Sequence, residues 1–174
     1  MTTTTLTQES CIPELNSLCL NSPTSPTTNN NNNNNNLPPM IRGIPINYVL
    51  EKLHELGSAY YNDKSTAYAE LHIDGCSKPY YVHKEYLVLQ STFFSEVFNN
   101  DDVSNGDVIT ISLPAPNMFD PILKYFYDGD ADKFYDALNI LNYKQIWENV
   151  ECLGLGAEPR AVCLAYYQNE INHE

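Results

Sequence analysis

Three observations predict a mixed α and β domain behind a polar N-terminal tail. Short runs at Ala69, Leu71, Ile73 and at Ile109, Ile111, Leu113 alternate apolar with polar residues, the period of half-buried strands. Leu87, Ser91, Phe94 and Phe98, and later Met118, Ile122, Tyr125 and Phe126, recur at the three- and four-residue spacing of a helix face. Before Pro39 neither period is sustained, and Thr, Ser, Pro and Asn dominate.

The first 40 residues read as a disordered low-complexity tail, with residues 41–174 as the folded domain. Thr2–Thr5, the SPTSPTT stretch and the asparagine run Asn29–Asn36 offer too little apolar surface to offset chain entropy. Ile46, Val49, Leu50, Leu53 and Leu56 then mark a helix, with Gly57 as its stop signal. Ala69–Ile73 is a strand, Asp74-Gly75 turns it, and Tyr80–Val82 returns. A short helix follows from about Lys84 to Gln90. Ser91 breaks it and caps a second helix running to Phe98, its hydroxyl accepting the amide proton of Phe93 or Phe94.

Asn99–Asp107 is a loop by its turn chemistry. Val108–Leu113 is the third strand, and Pro114 and Pro116 end it. Asn117 is the expected N-cap of the next helix, which confines Pro121 to the first turn and ends at Gly129. Phe134, Leu138 and Leu141 mark one further helix, and Ile146, Val150 and Leu153 another. Gly154–Pro159 separates these from a last helix carrying Val162, Ala165 and Tyr166. Their short connections imply antiparallel neighbours.

Charge and cysteine usage exclude several function classes. Lys plus Arg number 9 against 22 Asp plus Glu, a net charge of −13, which a phosphate backbone or an anionic membrane would repel. Nucleic acid and membrane are therefore not expected partners. No run approaches the roughly 18 apolar residues of a membrane span, and the first positive charge is Arg42, so no signal segment is expected. Cys11, Cys19, Cys76, Cys152 and Cys163 are odd in number and scattered, which predicts reduced thiols in an intracellular protein, cytoplasmic or nuclear.

No reacting constellation is visible. His54, His72, His83 and His173 and the cysteines lack C-x-x-C, H-E-x-x-H or comparable spacing. There is no G-x-S-x-G, and Gly154-x-Gly156 follows a helix and lacks a Walker lysine, so it reads as a helix C-cap. No catalytic residue, metal or cofactor is expected, and the chain is not read as an enzyme.

The run His83-Lys84-x-x-Leu87-x-x-x-Ser91-x-x-Phe94-x-x-x-Phe98 is preceded by LHIDGCSKPYYV (Leu71–Val82). It is followed by VITISL (Val108–Leu113) and by FDPILKYFYDGD (Phe119–Asp130), with Tyr125 and Gly129 near its end. In that order and spacing, from Ile44 to Ile171, these segments resemble the BTB/POZ family in its long form, which has a helix before the first strand. The resemblance implies an α+β fold, a small three-stranded sheet with a cluster of helices on one side. It also implies a protein–protein interaction module that self-associates as a homodimer, with Ile46, Val49, Leu50, Leu53 and Tyr68 at the dimer interface. Many members recruit a cullin scaffold of type three as ubiquitin-ligase adaptors, which would place Val103, Asn105 and Tyr127 on a cullin-facing surface. The alternative is a stand-alone oligomerisation, scaffolding or transcription-regulatory domain without a ligase partner. Tyr68 stands where many dimeric members carry aspartate, and Val103-Ser104-Asn105 where cullin binders tend to have hydrophobic-x-Glu. No substrate-binding repeat, MATH domain or zinc-finger array accompanies the domain.

Overall fold

The computed structural model describes residues 3–6, 40–99 and 103–172. Strand β1 is Thr3–Leu6. A two-residue hairpin, β2 (Met40–Ile41) and β3 (Ile44–Pro45), leads into helix α1 (Ile46–Tyr60). Arg42 and Gly43 at its tip both have positive φ, 48° and 83°, the geometry that suits a tight hairpin. β4 (Ala69–Ile73) and β5 (Tyr80–Val82) form an antiparallel pair. Helices α2 (Lys84–Val88) and α3 (Thr92–Asn99) follow, then β6 (Val108–Ile111). A 3₁₀ turn (Pro116–Met118) opens α4 (Phe119–Asp128). The chain ends in α5 (Ala131–Asp136), α6 (Tyr143–Cys152) and α7 (Ala157–Tyr166), which runs on as a π-turn to Ile171.

The three expected strands form one sheet with β1 added at its edge, in the order β1-β6-β4-β5. β6 runs parallel to both β4 and β1. The fourth strand lies inside the stretch read as tail. It is held by backbone pairing, which leaves no apolar period in the sequence; of the rest of that reading, Met40 lies in β2 and residues 1–2 and 7–39 fall outside the described residues. β4 alternates buried and half-buried residues, as its two-residue period requires.

The core follows the predicted stripes. Leu87, Phe94, Ile109, Ile111, Ile122 and Leu153 are fully buried, and Phe98 is 2% exposed. The α2–α3 break is built on Ser91. Its hydroxyl donates to the Leu153 carbonyl at 2.6 Å and accepts the Phe94 amide proton at 3.1 Å, capping α3 as expected.

Four local expectations are corrected. Gly57 does not stop α1, which continues to Tyr60. A Cβ there would lie 1.8 Å from the Tyr127 carbonyl oxygen, so the glycine permits helix contact. Asn117 does not cap α4, because the 3₁₀ turn puts Met118 at the N-cap and no side chain fills that role. Leu141 is not on a buried helix face; it is 86% exposed in the turn between α5 and α6. That turn is closed by two asparagines. Asn139 Oδ1 accepts from the Leu141 and Asn142 amides, and Asn142 Oδ1 accepts from the Asn139 amide at 2.7 Å. Helix α7 starts at Ala157, earlier than the Gly154–Pro159 spacer implied, with Pro159 buried in its first turn.

Candidate interaction surfaces

No group of three or more His, Cys, Asp or Glu among the described residues could hold a metal ion. Cys163 is fully buried, and burial pushes its thiol up to about 12, far from a reactive thiolate. No helix among the described residues is long and apolar enough to cross a membrane.

The residues of the His83–Phe98 run act as structural ties. Lys84 Nζ donates to the Phe98 carbonyl at 2.8 Å, tying α2 to the end of α3. His83, 7% exposed, sits in a cage of rings from Tyr60, Tyr86 and Tyr127. The Tyr127 hydroxyl accepts the His83 amide proton at 3.0 Å and lies 2.8 Å from Nδ1. Thr66 Oγ1 is 2.9 Å from Nε2 and donates onward to Asp63 Oδ2 at 2.7 Å. Thr66 gives its one proton to Asp63 and so accepts from Nε2–H, and a neutral His83 protonated on Nε2 also lets Nδ1 accept the Tyr127 hydroxyl proton. Burial holds its pKa below the ordinary 6.5, partly opposed by Glu85 and Asp63.

Tyr125 is 6% exposed, and its hydroxyl reaches Glu158 on α7 at 2.5 Å, so α4 is bonded to the last helix. Gly129 adopts φ 61°, the left-handed C-cap predicted for α4, and the His54 ring packs where its Cβ would be.

The cullin-facing set divides. Tyr127 is 1% exposed and Val103 8%, so neither presents a side chain to a partner. Tyr127 turns inward to bond His83 and stack on Tyr86, with ring centroids 4.3 Å apart. Val103 joins the hydrophobic core, and its carbonyl accepts from the Tyr68 hydroxyl at 3.2 Å. Asn105 is exposed, on a turn closed by Ser104 N–H to Asp107 Oδ2 and by Gly106 N–H to the Tyr68 carbonyl.

The dimer set is half-buried throughout. Ile46, Val49, Leu50 and Leu53 are half-buried against their own domain, and the Leu53 carbonyl accepts from Tyr86 at 2.7 Å. Tyr68 is half-buried too, edge-on to Phe98 at 5.8 Å, and so serves the core of its own chain. The exposed apolar residues of this region are others: Met40, Ile44, Tyr48 and Leu56 are 45–54% exposed. Periodicity marks an apolar stripe but cannot say which edge of it a neighbouring helix covers.

Between α1 and the start of α7 lies an open groove of about 530 Å³, lined by Leu50, Glu51, His54, Glu55, Asp128 and Glu158 among others. His54 Nε2 is buried there without a hydrogen-bond partner among the described residues. Asn149, fully buried on α6, was invisible to motif reasoning. Its amide donates to the Ala115 carbonyl at 2.7 Å and accepts the Ala115 amide proton at 3.0 Å, pinning the β6–α4 connection. Its one sequence signal is a polar residue inside the Ile146, Val150, Leu153 stripe.

Strands β4 to β6, the paired helices α2 and α3, and His83 and Ser91 fall within residues 62–151, which match a family model for the BTB/POZ domain. The chain belongs to the BTB/POZ family. BTB domains are protein–protein interaction and self-association modules. The BTB domain of zebrafish PATZ1 is similar at 19% identity and a TM-score of 0.50, over 73% of this chain and 93% of its own, which shows the shared fold. The BTB domain of human gigaxonin is similar at 16% identity and a TM-score of 0.49, over 70% of this chain and 89% of its own. No curated protein matches the chain.

Proposed function

We propose that this BTB domain is a self-associating adaptor whose outward α1 side and β2–β3 hairpin meet a second copy. The observation that carries the reading is the concentration of exposed apolar side chains there. Met40, Ile44, Tyr48 and Leu56 all stand at or beyond 45% exposure within one helix and its lead-in hairpin. The half-buried Ile46, Val49, Leu50 and Leu53 lie beside them and would add their open edges to the contact. Light scattering of the full chain at micromolar concentration is expected to give the mass of a dimer, and Tyr48→Glu/Leu56→Glu a folded monomer. A monomer mass for the wild type would overturn the reading.

A cullin-type ubiquitin-ligase scaffold is the second partner of this proposal. It is supported by Asn105, presented on a turn that its own backbone bonds hold in shape. With Val103 and Tyr127 turned inward, the loop offers a polar contact without an aromatic anchor, so the complex is expected to be weak. Calorimetry with a cullin N-terminal domain tests it: Asn105→Glu should bind more tightly than the wild type. Absence of heat for both leaves an oligomerisation, scaffolding or transcription-regulatory module without a ligase partner. The same proposal takes residues 41–174 as the interaction domain, residues 1–40 as its tail, and an intracellular setting, cytoplasmic or nuclear. The last is supported by Cys76 and Cys163, which no disulfide joins among the described residues.

A further inference from the structure

β6 is a rigid strand with two partners of different standing. On one side the parallel ladder with β4 aligns Glu70 with Val108 and Ile73 with Ile111. That side is secured at both ends, since the Glu70 amide donates to the Asp107 carbonyl at 3.0 Å and the Asp74 amide to the Ile111 carbonyl at 2.9 Å. Ile109 and Ile111 are fully buried in the core, so the strand cannot slide without inverting its faces.

On the other side the partner is β1, also parallel, with Thr3 opposite Val108 and Leu6 opposite Ile111. This pairing spans β6 from end to end, yet it rests on a four-residue segment. Residues 7–39 join that segment to β2, a tether whose extended reach of roughly 100 Å exceeds the size of the domain. Covalent geometry therefore does not force β1 onto β6. What recruits it is the row of backbone N–H and C=O groups along the β6 edge, which any extended chain could satisfy.

We propose that the outer edge of β6 is a strand-acceptor site for an extended, β-branched segment of a partner protein running parallel to β6, and that Thr3–Leu6 is its tethered, displaceable occupant. The occupant defines the ligand class. Three threonines and a leucine are β-compatible and uncharged, and the parallel register fixes the direction of any replacement. The tether sets how well the occupant competes. Intramolecular pairing acts through an effective concentration that falls as the connection lengthens, so a partner segment needs to exceed that concentration relative to its own affinity. The site does not use the α1 face, and it stands or falls independently of the self-association reading.

The test uses the full chain with Thr4→Pro/Thr5→Pro, which removes backbone donors from β1 and leaves the described domain beyond residue 40 unaltered. The probe is a fluorescein-labelled peptide with the sequence of residues 2–8. Its affinity, read by anisotropy, is expected to be about tenfold or more higher for the variant than for the wild type, because the tethered competitor is gone. Hydrogen exchange at the outward amides of Val108–Ile111 should quicken in the variant and slow again when peptide is added. A second variant, glycine at all four positions 3–6, weakens the strand without proline and should show the same gain. Failure of the peptide to bind either variant, or β6 exchange that peptide leaves unchanged, would overturn the proposal.

Discussion

Tyr127 ties α4 to the residue before α2, 44 positions away, through one hydroxyl. It accepts the His83 amide proton and donates to Nδ1, both inside a site where the ring is 1% exposed. Tyr127→Phe keeps the stacking on Tyr86 but leaves a buried amide and a ring nitrogen unpaired. A loss of about 1–3 kcal/mol is expected in urea denaturation. The same site makes stability depend on pH. His83 has its pKa lowered in the fold, chiefly by burial, so the unfolded chain takes up the proton first as pH falls. Its contribution is complete above about pH 6.5 and is lost as pH falls through the folded value. The thermal midpoint should therefore drop between about pH 7.5 and 5.5, and drop less in His83→Gln. An equal drop in both proteins would show that carboxylates, not His83, carry the dependence.

At the scale of elements, α1 packs tightly against the end of α4. Gly57 and Tyr127 meet backbone to side-chain position, and an added methyl would have to displace a carbonyl, not a flexible side chain. Gly57→Ala is therefore expected to cost about 1–3 kcal/mol or more, despite the better helix propensity of alanine, because two helices must move apart. Equilibrium unfolding of the single variant checks this, and a stability at or above the wild type would mean that α1 docks loosely. Tyr61, just past α1, adds a second tie through its hydroxyl to Asp120 at 2.7 Å in the first turn of α4. The α1–α4 pair thus forms one rigid wall, which is what an interface built on the outer side of α1 requires.

For the whole molecule, self-association has a thermodynamic signature that does not depend on finding a partner. Anything that binds the native state alone raises its apparent stability by mass action. The midpoint of thermal unfolding should climb as protein concentration is raised, and the climb should vanish in Tyr48→Glu/Leu56→Glu. The charge of −13 sets a counter-force, since two acidic copies repel at long range, so association should strengthen with added salt up to about physiological ionic strength. A midpoint independent of concentration would assign the exposed α1 residues to another protein.

Local apolar spacing sets most of the helices, the three central strands and most of the core of this chain. Leu87, Phe94, Phe98, Ile109 and Ile111 were legible because backbone period is a local property that apolar spacing reports directly. Ser91 as a cap and Gly129 as a left-handed stop were legible for the same reason, since each acts on its own helix end. Which apolar residues stay exposed is settled by packing between elements far apart in the chain. Leu56 and Leu141 belong to good stripes yet face out, while Val103 and Tyr127 lie in turn-like or terminal positions yet face in. The tertiary structure also decided that Gly57 is a contact rather than a stop, that Asn149 is a buried clamp, and that Thr3–Leu6 joins the sheet. Each of these depends on a neighbour far along the chain, and the energy of such a contact leaves no periodic trace in the residues that make it.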